Sequence, residues 1–183
     1  MERFELAKSL ITEQITHSAN AIDPSHAENT LYWMSHLYPD ADEILKLAAL
    51  AHDIERSLPD SVQESDFGDY YAYKQEHAER GGRVASHIVL SAGYTEQEAQ
   101  RLASIIKAAE FSSDDEDVQK VCDADSVSFF DNNIGHYIEV KGTERTKKKM
   151  HFMYDRASEK AKAVIQELMA SRPELDLISL TKY

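Results

Sequence analysis

Apolar residues recur at helical spacing along most of the chain. Between residues 3 and 18 they fall on one side of a helix, because side chains three or four positions apart share a face. These residues are Phe4, Leu6, Leu10, Ile11 and Ile15. The same spacing predicts further helices over residues 26–38, 42–56, 73–92, 94–111, 117–131 and 143–169. No stretch alternates long enough to predict a strand, so we expect an all-α fold of roughly seven helices.

Breaks in this pattern coincide with residues that begin or end helices. Pro24 precedes the second predicted helix, since proline lacks the backbone N–H that a helix interior needs. Thr95 and Glu98 form the sequence of a capping box, which starts a helix. The segment NNIGHYIEVKGT is predicted to be irregular, and the tail leaves the last helix at Pro173. No repeat or linker divides the chain, so we expect a single domain over residues 1–183.

Composition and charge narrow the functional classes. The 183 residues include only 6 Gly and 4 Pro, which suits one core built from long helices. Cys122 is the single cysteine, so no internal disulfide forms and a cytoplasmic location is expected. We see no secretory signal and no apolar run near the ~20 residues that span a bilayer. The net charge of −13 disfavours nucleic-acid polymers and membranes, but it leaves room for a small anionic substrate beside a local cation.

An unusual concentration of charge ends the predicted helix over residues 42–56. The stretch LAALAHDIERSLPD runs Leu and Ala towards the core and then places an imidazole, two carboxylates and a guanidinium within residues 52–56. Imidazole nitrogen with carboxylate oxygen suits a divalent ion such as Mn²⁺, Fe²⁺, Co²⁺, Ni²⁺ or Zn²⁺. His52 and Asp53 are too few to hold an ion, so further ligands must come from other helices. The candidates are His26, Asp123 and Asp125.

Taken in order, these residues resemble the HD superfamily of metal-dependent phosphohydrolases. That family's ligands are a His, a His-Asp dyad and a distant Asp, and the chain has His26, the dyad at residues 52–53 and DADS at residues 123–126. The segments HDIER, EHAERGGRVA, DADSVSFF and HFMYDRAS are also similar to a bacterial HD subgroup with no assigned substrate. The resemblance implies an HD-domain helical bundle.

The resemblance also implies one divalent metal ion, with Mn, Fe, Co, Ni, Zn and Mg as candidates. Its expected ligands are His26, His52, Asp53 and Asp125. Asp125 is preferred to Asp123 because the family's ligand precedes a small or polar residue and then an apolar one. Two residues that lie two apart on a helix cannot both face one ion, so Asp123 is expected to be solvated or to cap a helix.

The sequence departs from many HD proteins at Ala109, where they have a further His before an acidic residue, here Glu110. HD enzymes that hold two metal ions recruit extra histidines, so the departure favours a single ion. Glu110 remains able to face the site.

The same resemblance, together with position in the sequence, predicts which residues around the ion act in catalysis and in substrate binding. The expected catalytic residues are Asp53, Glu55 and His77. The expected substrate-binding residues are Arg56, Arg80, Lys149 and Arg156, since a guanidinium holds two phosphate oxygens at once. For Glu55 the alternative is an exposed charge or a pair with Arg56, and for the lysines it is a solvated helix face.

The expected function is hydrolysis of a small phosphoester, with a nucleotide as the first candidate. The alternative is a non-catalytic, metal-containing module that binds a phosphorylated ligand, which the Ala109 departure motivates. Oxidative chemistry at iron ranks last, because it generally needs two metal ions and more histidines. The expected partner is therefore a small phosphorylated molecule, and a homodimer stays open.

Overall fold

The computed structural model describes residues 2–111, 113–175 and 177, and these residues form helices without any strand. The predicted all-α fold is confirmed. The α-helices of the described part are α1 (Arg3–Ile15), α2 (Asp23–Leu37), α3 (Glu43–Ala51), α4 (Tyr70–Ser91), α5 (Glu96–Ala109), α6 (Glu116–Ser128), α7 (Ile134–Lys141), α8 (Thr143–Asp155) and α9 (Glu159–Ser171). Short 3₁₀ turns cover Ile54–Ser57, Glu64–Asp66 and Pro173–Leu175, and a π-helical turn covers Phe129–Asn133.

Helix α3 lies at the centre of the bundle. Leu47, Ala48 and Leu50 are fully buried, and the helix packs against α1, α2, α5 and α6. Seven of its nine residues are buried, and only Glu43 and Lys46 are partly exposed, so neighbouring helices have to cover most of its surface. The C-terminal end of α3 therefore lies among several helices, and His52 and Asp53 come directly after it in the chain.

Several predicted helix ends are present. The Thr95 side chain accepts from the Glu98 N–H, and the Glu98 carboxylate accepts from the Thr95 N–H at 2.8 Å, which completes the capping box. Asp42 caps α3 by accepting from the Leu45 N–H at 2.9 Å. Such caps satisfy backbone N–H groups that the first helical turn leaves unpaired.

Three segments differ from the predictions. The helix expected over residues 42–56 ends at Ala51, and a separate 3₁₀ turn covers Ile54–Ser57. The single helix expected over residues 143–169 is divided, because Ser158 caps a new helix by accepting from the Ala161 N–H at 3.3 Å. The segment after residue 131 was expected to be irregular, but it forms the π-helical turn and α7. Phe129, Phe130 and Ile134 are buried there, so packing holds helical backbone that local sequence does not favour.

Glycines let α4 approach its neighbours closely. A Cβ on Gly82 would lie 3.1 Å from the Ala103 carbonyl oxygen of α5, and one on Gly81 would lie 3.6 Å from the Glu55 Cβ. This proximity sets α4 against both α5 and the 3₁₀ turn that follows Asp53. Among the described residues, no helix is long and apolar enough to cross a membrane.

Candidate metal centre

Two histidines and an aspartate meet where α2, α3 and α6 converge. His26 Nε2 lies 3.0 Å from Asp125 Oδ1, and His52 Nε2 lies 3.4 Å from the same oxygen. His26 and His52 are both buried, and their ring centroids are 5.1 Å apart. The three donor atoms lie within 4.8 Å of one another, close enough to share one ion.

The outer nitrogen of each ring is held by a hydrogen bond. His52 Nδ1 lies 2.9 Å from the Ala49 carbonyl oxygen, an acceptor, so Nδ1 carries the proton. His26 Nδ1 lies 2.9 Å from Ser128 Oγ, which itself donates to the His26 carbonyl, so this Nδ1 also donates. In the neutral rings the lone pair then sits on Nε2, the atom that faces Asp125. Metal-binding histidines are commonly oriented in this way by a partner on the other nitrogen.

The nitrogen of His52 that faces Asp125 gives a further reason why these residues fit a divalent ion. His52 Nε2 is buried and has no hydrogen-bond partner in the described part of the chain, although buried polar atoms are usually paired. Two imidazole nitrogens with carboxylate oxygens form a donor set for Mn²⁺, Fe²⁺, Co²⁺, Ni²⁺ or Zn²⁺. A cation between the rings would satisfy this atom.

Asp53 extends the first group and joins it to a second one. Its Oδ2 lies 3.5 Å from His52 Nε2, and its Oδ1 lies 3.3 Å from His77 Nε2. The structure thus brings together all four side chains predicted as ligands. His77 Nε2 also lies 3.4 Å from Glu110 Oε1, and Asp53, His77 and Glu110 form a second set of donors within 4.8 Å of one another.

The charged state of this cluster depends on its neighbours. Burial opposes ionisation of Asp53 and Asp125, but His52 with Arg56 or Arg156 nearby holds the pKa of both carboxyls well below the usual range. Burial also opposes a charged His52, yet the carboxylates of Asp125 and Asp53 outweigh it and raise the pKa of His52 to about 9. The carboxylates are therefore ionised at neutral pH, and His52 Nε2 attracts a proton or another cation.

Glu55 is buried and paired within the protein, so its predicted catalytic role, which was to orient or deprotonate a water, is not supported. It is fully buried, and its Oε2 accepts from His77 Nδ1 at 2.8 Å. Its Oε1 accepts from the Val62 N–H at 2.8 Å. Glu55 therefore orients the imidazole of His77 and leaves His77 Nε2 directed at Asp53. Neither sequence alternative, an exposed charge or a pair with Arg56, describes it.

The position of Arg80 also differs from its predicted role in substrate binding. Its Nη2 lies 2.7 Å from Asp60 Oδ2 and its Nε lies 3.7 Å from Glu55 Oε1. The guanidinium therefore lies behind Glu55 and ties it to the loop at Asp60, so its predicted contact with substrate is not supported.

The contacts of Arg156 also differ from its predicted role in phosphate binding. Its Nη2 donates to Asp125, its Nε donates to Ser126 Oγ at 3.0 Å and its Nη1 donates to the Ala109 carbonyl at 3.3 Å. These bonds use one N–H of each guanidinium nitrogen and fix its orientation, so Arg156 is placed to position the proposed ligand Asp125, and the geometry does not support its predicted contact with a phosphate.

Asp123 faces away from the first group, as expected for the member of the pair that is not a ligand. It is fully buried and so is not solvated. It accepts from the Ser158 N–H at 2.8 Å and from Gln119 Nε2 at 2.8 Å. Asp123 thus supports the start of α9, which is a capping role.

Two predicted substrate-binding cations remain close to the centre. Arg56 Nη1 lies 2.8 Å from Asp53 Oδ2, and its side chain is 36% exposed, so it reaches both a ligand and solvent. Lys149 Nζ lies 5.2 Å from the Phe152 ring centroid and 5.9 Å from that of Phe129. Desolvation, with Arg156 and other positive charge nearby, lowers the pKa of Lys149 to about 8.

Lys74 belongs to the site although it was not predicted. Its Nζ lies 2.5 Å from Glu110 Oε2, and it stands three residues before His77 on α4. Residues three apart share a helix face, so the spacing to His77 was the signal that could have identified it.

A family model described as a domain of unknown function, DUF4202, matches residues 7–178. No curated protein matches the chain, and no solved structure does.

Proposed function

The chain belongs to the DUF4202 family, and from the geometry of the site we propose that it is a metal-dependent phosphohydrolase of the HD type that acts on a small phosphoester. The observation that carries the proposal is the buried pair of histidines whose Nε2 atoms both face Asp125 while their Nδ1 atoms are held by hydrogen bonds. A cation suits this arrangement, because His52 Nε2 is buried without a hydrogen bond among the described residues and faces the carboxylates of Asp53 and Asp125 at 3.5 and 3.4 Å.

The proposed ion is a single divalent metal held by His26, His52, Asp53 and Asp125. When bound, such an ion polarises a phosphoryl oxygen and lowers the pKa of a coordinated water. Asp53 is suited to align that water, since its two oxygens face different histidines.

The surrounding charges favour an anionic substrate. Three ionised carboxylates are each paired with one cation, and these pairs are Asp53 with Arg56, Glu110 with Lys74 and Asp125 with Arg156. Lys149 forms no ion pair with a carboxylate among the described residues, yet it lies beside Arg156 and near the centre. An ammonium without a counter-charge in a desolvated cleft is stabilised by an incoming anion.

His77 supplies a proton site next to the bound anion. Its Nδ1 is fixed on the Glu55 carboxylate, so Nε2 is the atom that takes up or releases a proton. That atom lies 3.3 Å from Asp53 Oδ1, beside the residue that aligns water. We assign His77 to proton transfer and Lys149 with Arg56 to binding of phosphate oxygens; nucleotides are the first substrates to test.

The test is metal analysis followed by a phosphoester screen. Protein stripped of metal and reloaded with Mn²⁺, Co²⁺ or Ni²⁺ should hydrolyse at least one nucleotide or other small phosphoester, and the His52→Ala variant should not. His87→Ala is the matched control, because His87 is exposed on α4. Binding of a phosphorylated ligand without turnover would contradict catalysis and favour a binding module. Absence of bound metal under all loading conditions would contradict the metal centre itself.

A further inference from the structure

We propose that Lys74 acts as a built-in cation in the second donor group and thereby restricts the centre to one divalent metal ion. This inference rests on the proposed metal centre formed by His26, His52, Asp53 and Asp125. It concerns Glu110, His77 and Lys74, whose arrangement decides how many ions that centre accepts.

Both donor groups consist of residue types that bind divalent metal ions, although their proportions of imidazole and carboxylate differ. Asp53, His77 and Glu110 bring one imidazole nitrogen and two carboxylate oxygens within 4.8 Å of one another, as His26, His52 and Asp125 bring two nitrogens and one oxygen. His77 Nδ1 also donates to a buried carboxylate, that of Glu55, at 2.8 Å. Such a bond commonly orients a metal-binding histidine. A second ion would therefore have suitable donors.

The difference lies in what already binds the carboxylates. Lys74 Nζ is 2.5 Å from Glu110 Oε2, and both side chains are largely buried, at 13% and 14% exposure. The first group has no ammonium at this distance from its ligand atoms within the described residues, and its nearest cation is the guanidinium of Arg156 on the far oxygen of Asp125. Lys74 holds the Glu110 oxygen that faces away from His77 Nε2, because Glu110 Oε1 is the oxygen 3.4 Å from that nitrogen. The positive charge of Lys74 therefore lies directly behind the carboxylate that a second ion would need.

Charge balance favours the same conclusion. The carboxylates of Asp53, Glu110 and Asp125 are matched by the cations of Arg56, Lys74 and Arg156. One divalent ion and Lys149 add further positive charge, which a phosphate can neutralise. A second divalent ion next to Lys74 would add two more charges in a desolvated site, where like charges repel strongly. The tethered ammonium satisfies Glu110 with a single charge.

Removing the ammonium should therefore create a second metal site. In Lys74→Met, Glu110 loses its counter-charge while Asp53 and His77 keep their positions, so the number of Mn²⁺ ions per chain should rise from one to two. Lys74→Arg retains the positive charge and should stay at one. The double variant Lys74→Met with Glu110→Gln loses the Glu110 carboxylate, so the second group keeps only His77 and the shared Asp53 and the count should also stay at one.

The experiment titrates metal-free protein with Mn²⁺ and counts bound ions by native mass spectrometry. Electron paramagnetic resonance provides a second readout, because two Mn²⁺ ions bridged by one carboxylate couple magnetically and a single ion does not. Circular dichroism establishes that each variant is folded. Lys74→Gln is a further variant without the charge that keeps a polar group at Glu110, and it should gain the second ion even where Lys74→Met does not fold.

The outcomes separate this inference from the proposed function. One ion in the parent and two coupled ions in Lys74→Met or Lys74→Gln support it. Two ions in the parent, or one ion in both folded charge-removal variants, overturn it and leave a metal-dependent phosphohydrolase intact. No ion in the parent overturns the metal centre and this inference together.

Discussion

Two groups of similar residues lie side by side in this bundle, and their surroundings make them different. The group of His26, His52 and Asp125 has imidazole protons directed at uncharged oxygens, the Ala49 carbonyl and the Ser128 hydroxyl. In the group around His77, the imidazole proton is directed at the carboxylate of Glu55. Within the described residues, the first group leaves the buried His52 Nε2 without a hydrogen bond, and in the second group Glu110 binds the ammonium of Lys74.

The comparison shows that ligand type is not sufficient to identify a metal site. Both groups have three metal-binding donor atoms within 4.8 Å of one another. What separates them is the next layer of contacts, which sets the protonated nitrogen, the local charge and the space left for a cation. The predictions below change one of these contacts at a time.

The largest effect is expected from removing the dyad. His52→Ala combined with Asp53→Ala deletes two of the four proposed ligands and should abolish metal binding and turnover. Metal content by mass spectrometry and the phosphoester assay measure this, with His87→Ala as the control. Unchanged turnover in the double variant would eliminate the proposed site.

A large but partial effect is expected from Arg156→Lys. One ammonium can bind Asp125 but cannot also donate to Ser126 and to the Ala109 carbonyl. Loss of such a supporting contact typically weakens metal affinity by roughly 10-fold to 100-fold. Competition with a chelator measures the affinity.

Arg172→Lys is the matched control for that variant. Arg172 binds Asp131 through two nitrogens, but Asp131 is not a proposed ligand, so metal affinity should not change. Normal metal affinity with reduced turnover in Arg156→Lys would return this arginine to the phosphate and contradict its role as a positioning residue.

A pH-dependent effect is expected at Lys149, a cation near the proposed centre that has no carboxylate partner among the described residues. Its pKa is lowered to about 8, so the charged form that binds phosphate predominates below about pH 8. As the pH rises further, kcat/KM should fall by about tenfold per pH unit, because kcat/KM reports ionisation of the free enzyme. Lys149→Arg keeps its charge and should remove this decline, whereas Lys148→Arg, at an exposed position, should not. Persistence of the decline in Lys149→Arg would assign it to another group.

The smallest effects on metal affinity and turnover are expected from substituting the residues that accept the imidazole Nδ1 protons. Ser128→Ala leaves His26 Nδ1 without its acceptor and should lower the free energy of unfolding by about 1 kcal/mol, with a several-fold loss of metal affinity. Glu55→Gln should leave metal affinity unchanged and reduce turnover, because Glu55 contacts His77, Arg80 and the Val62 N–H but none of the proposed ligands. Thermal unfolding and chelator competition compare the two variants. An equal loss of metal affinity in both would mean that His77 is also a ligand.

Sequence reasoning predicted the all-α fold because apolar spacing along a helix reports directly on its buried face. It did not predict α7, since the segment NNIGHYIEVKGT contains asparagine and glycine and is held by burial of Phe129, Phe130 and Ile134. It also missed the break between α8 and α9, which depends on Ser158 as a cap and on Asp123 from a distant helix.

The same limit applies to the site. The order of His26, His52, Asp53 and Asp125 could be taken from the sequence, and the structure brings these side chains together. The contacts of Glu55 and Arg156 could not be taken from the sequence. They depend on how α4 packs on the 3₁₀ turn and on how α8 ends beside α6. Periodicity within one helix carries no information about such distances between helices.

The hydrogen bond between His26 and Ser128 joins residues 102 positions apart, and this separation has a consequence for the chain during its synthesis. His26 and the dyad leave the ribosome well before Asp125. At about 5–20 residues per second, the delay is several seconds or more. During that interval the apolar helix α3 lacks the covering side of α6, and exposed apolar segments of this kind favour aggregation. Under the proposed ligand set, His26, His52 and Asp53 are synthesised first, and the set is completed only when Asp125 arrives with α6.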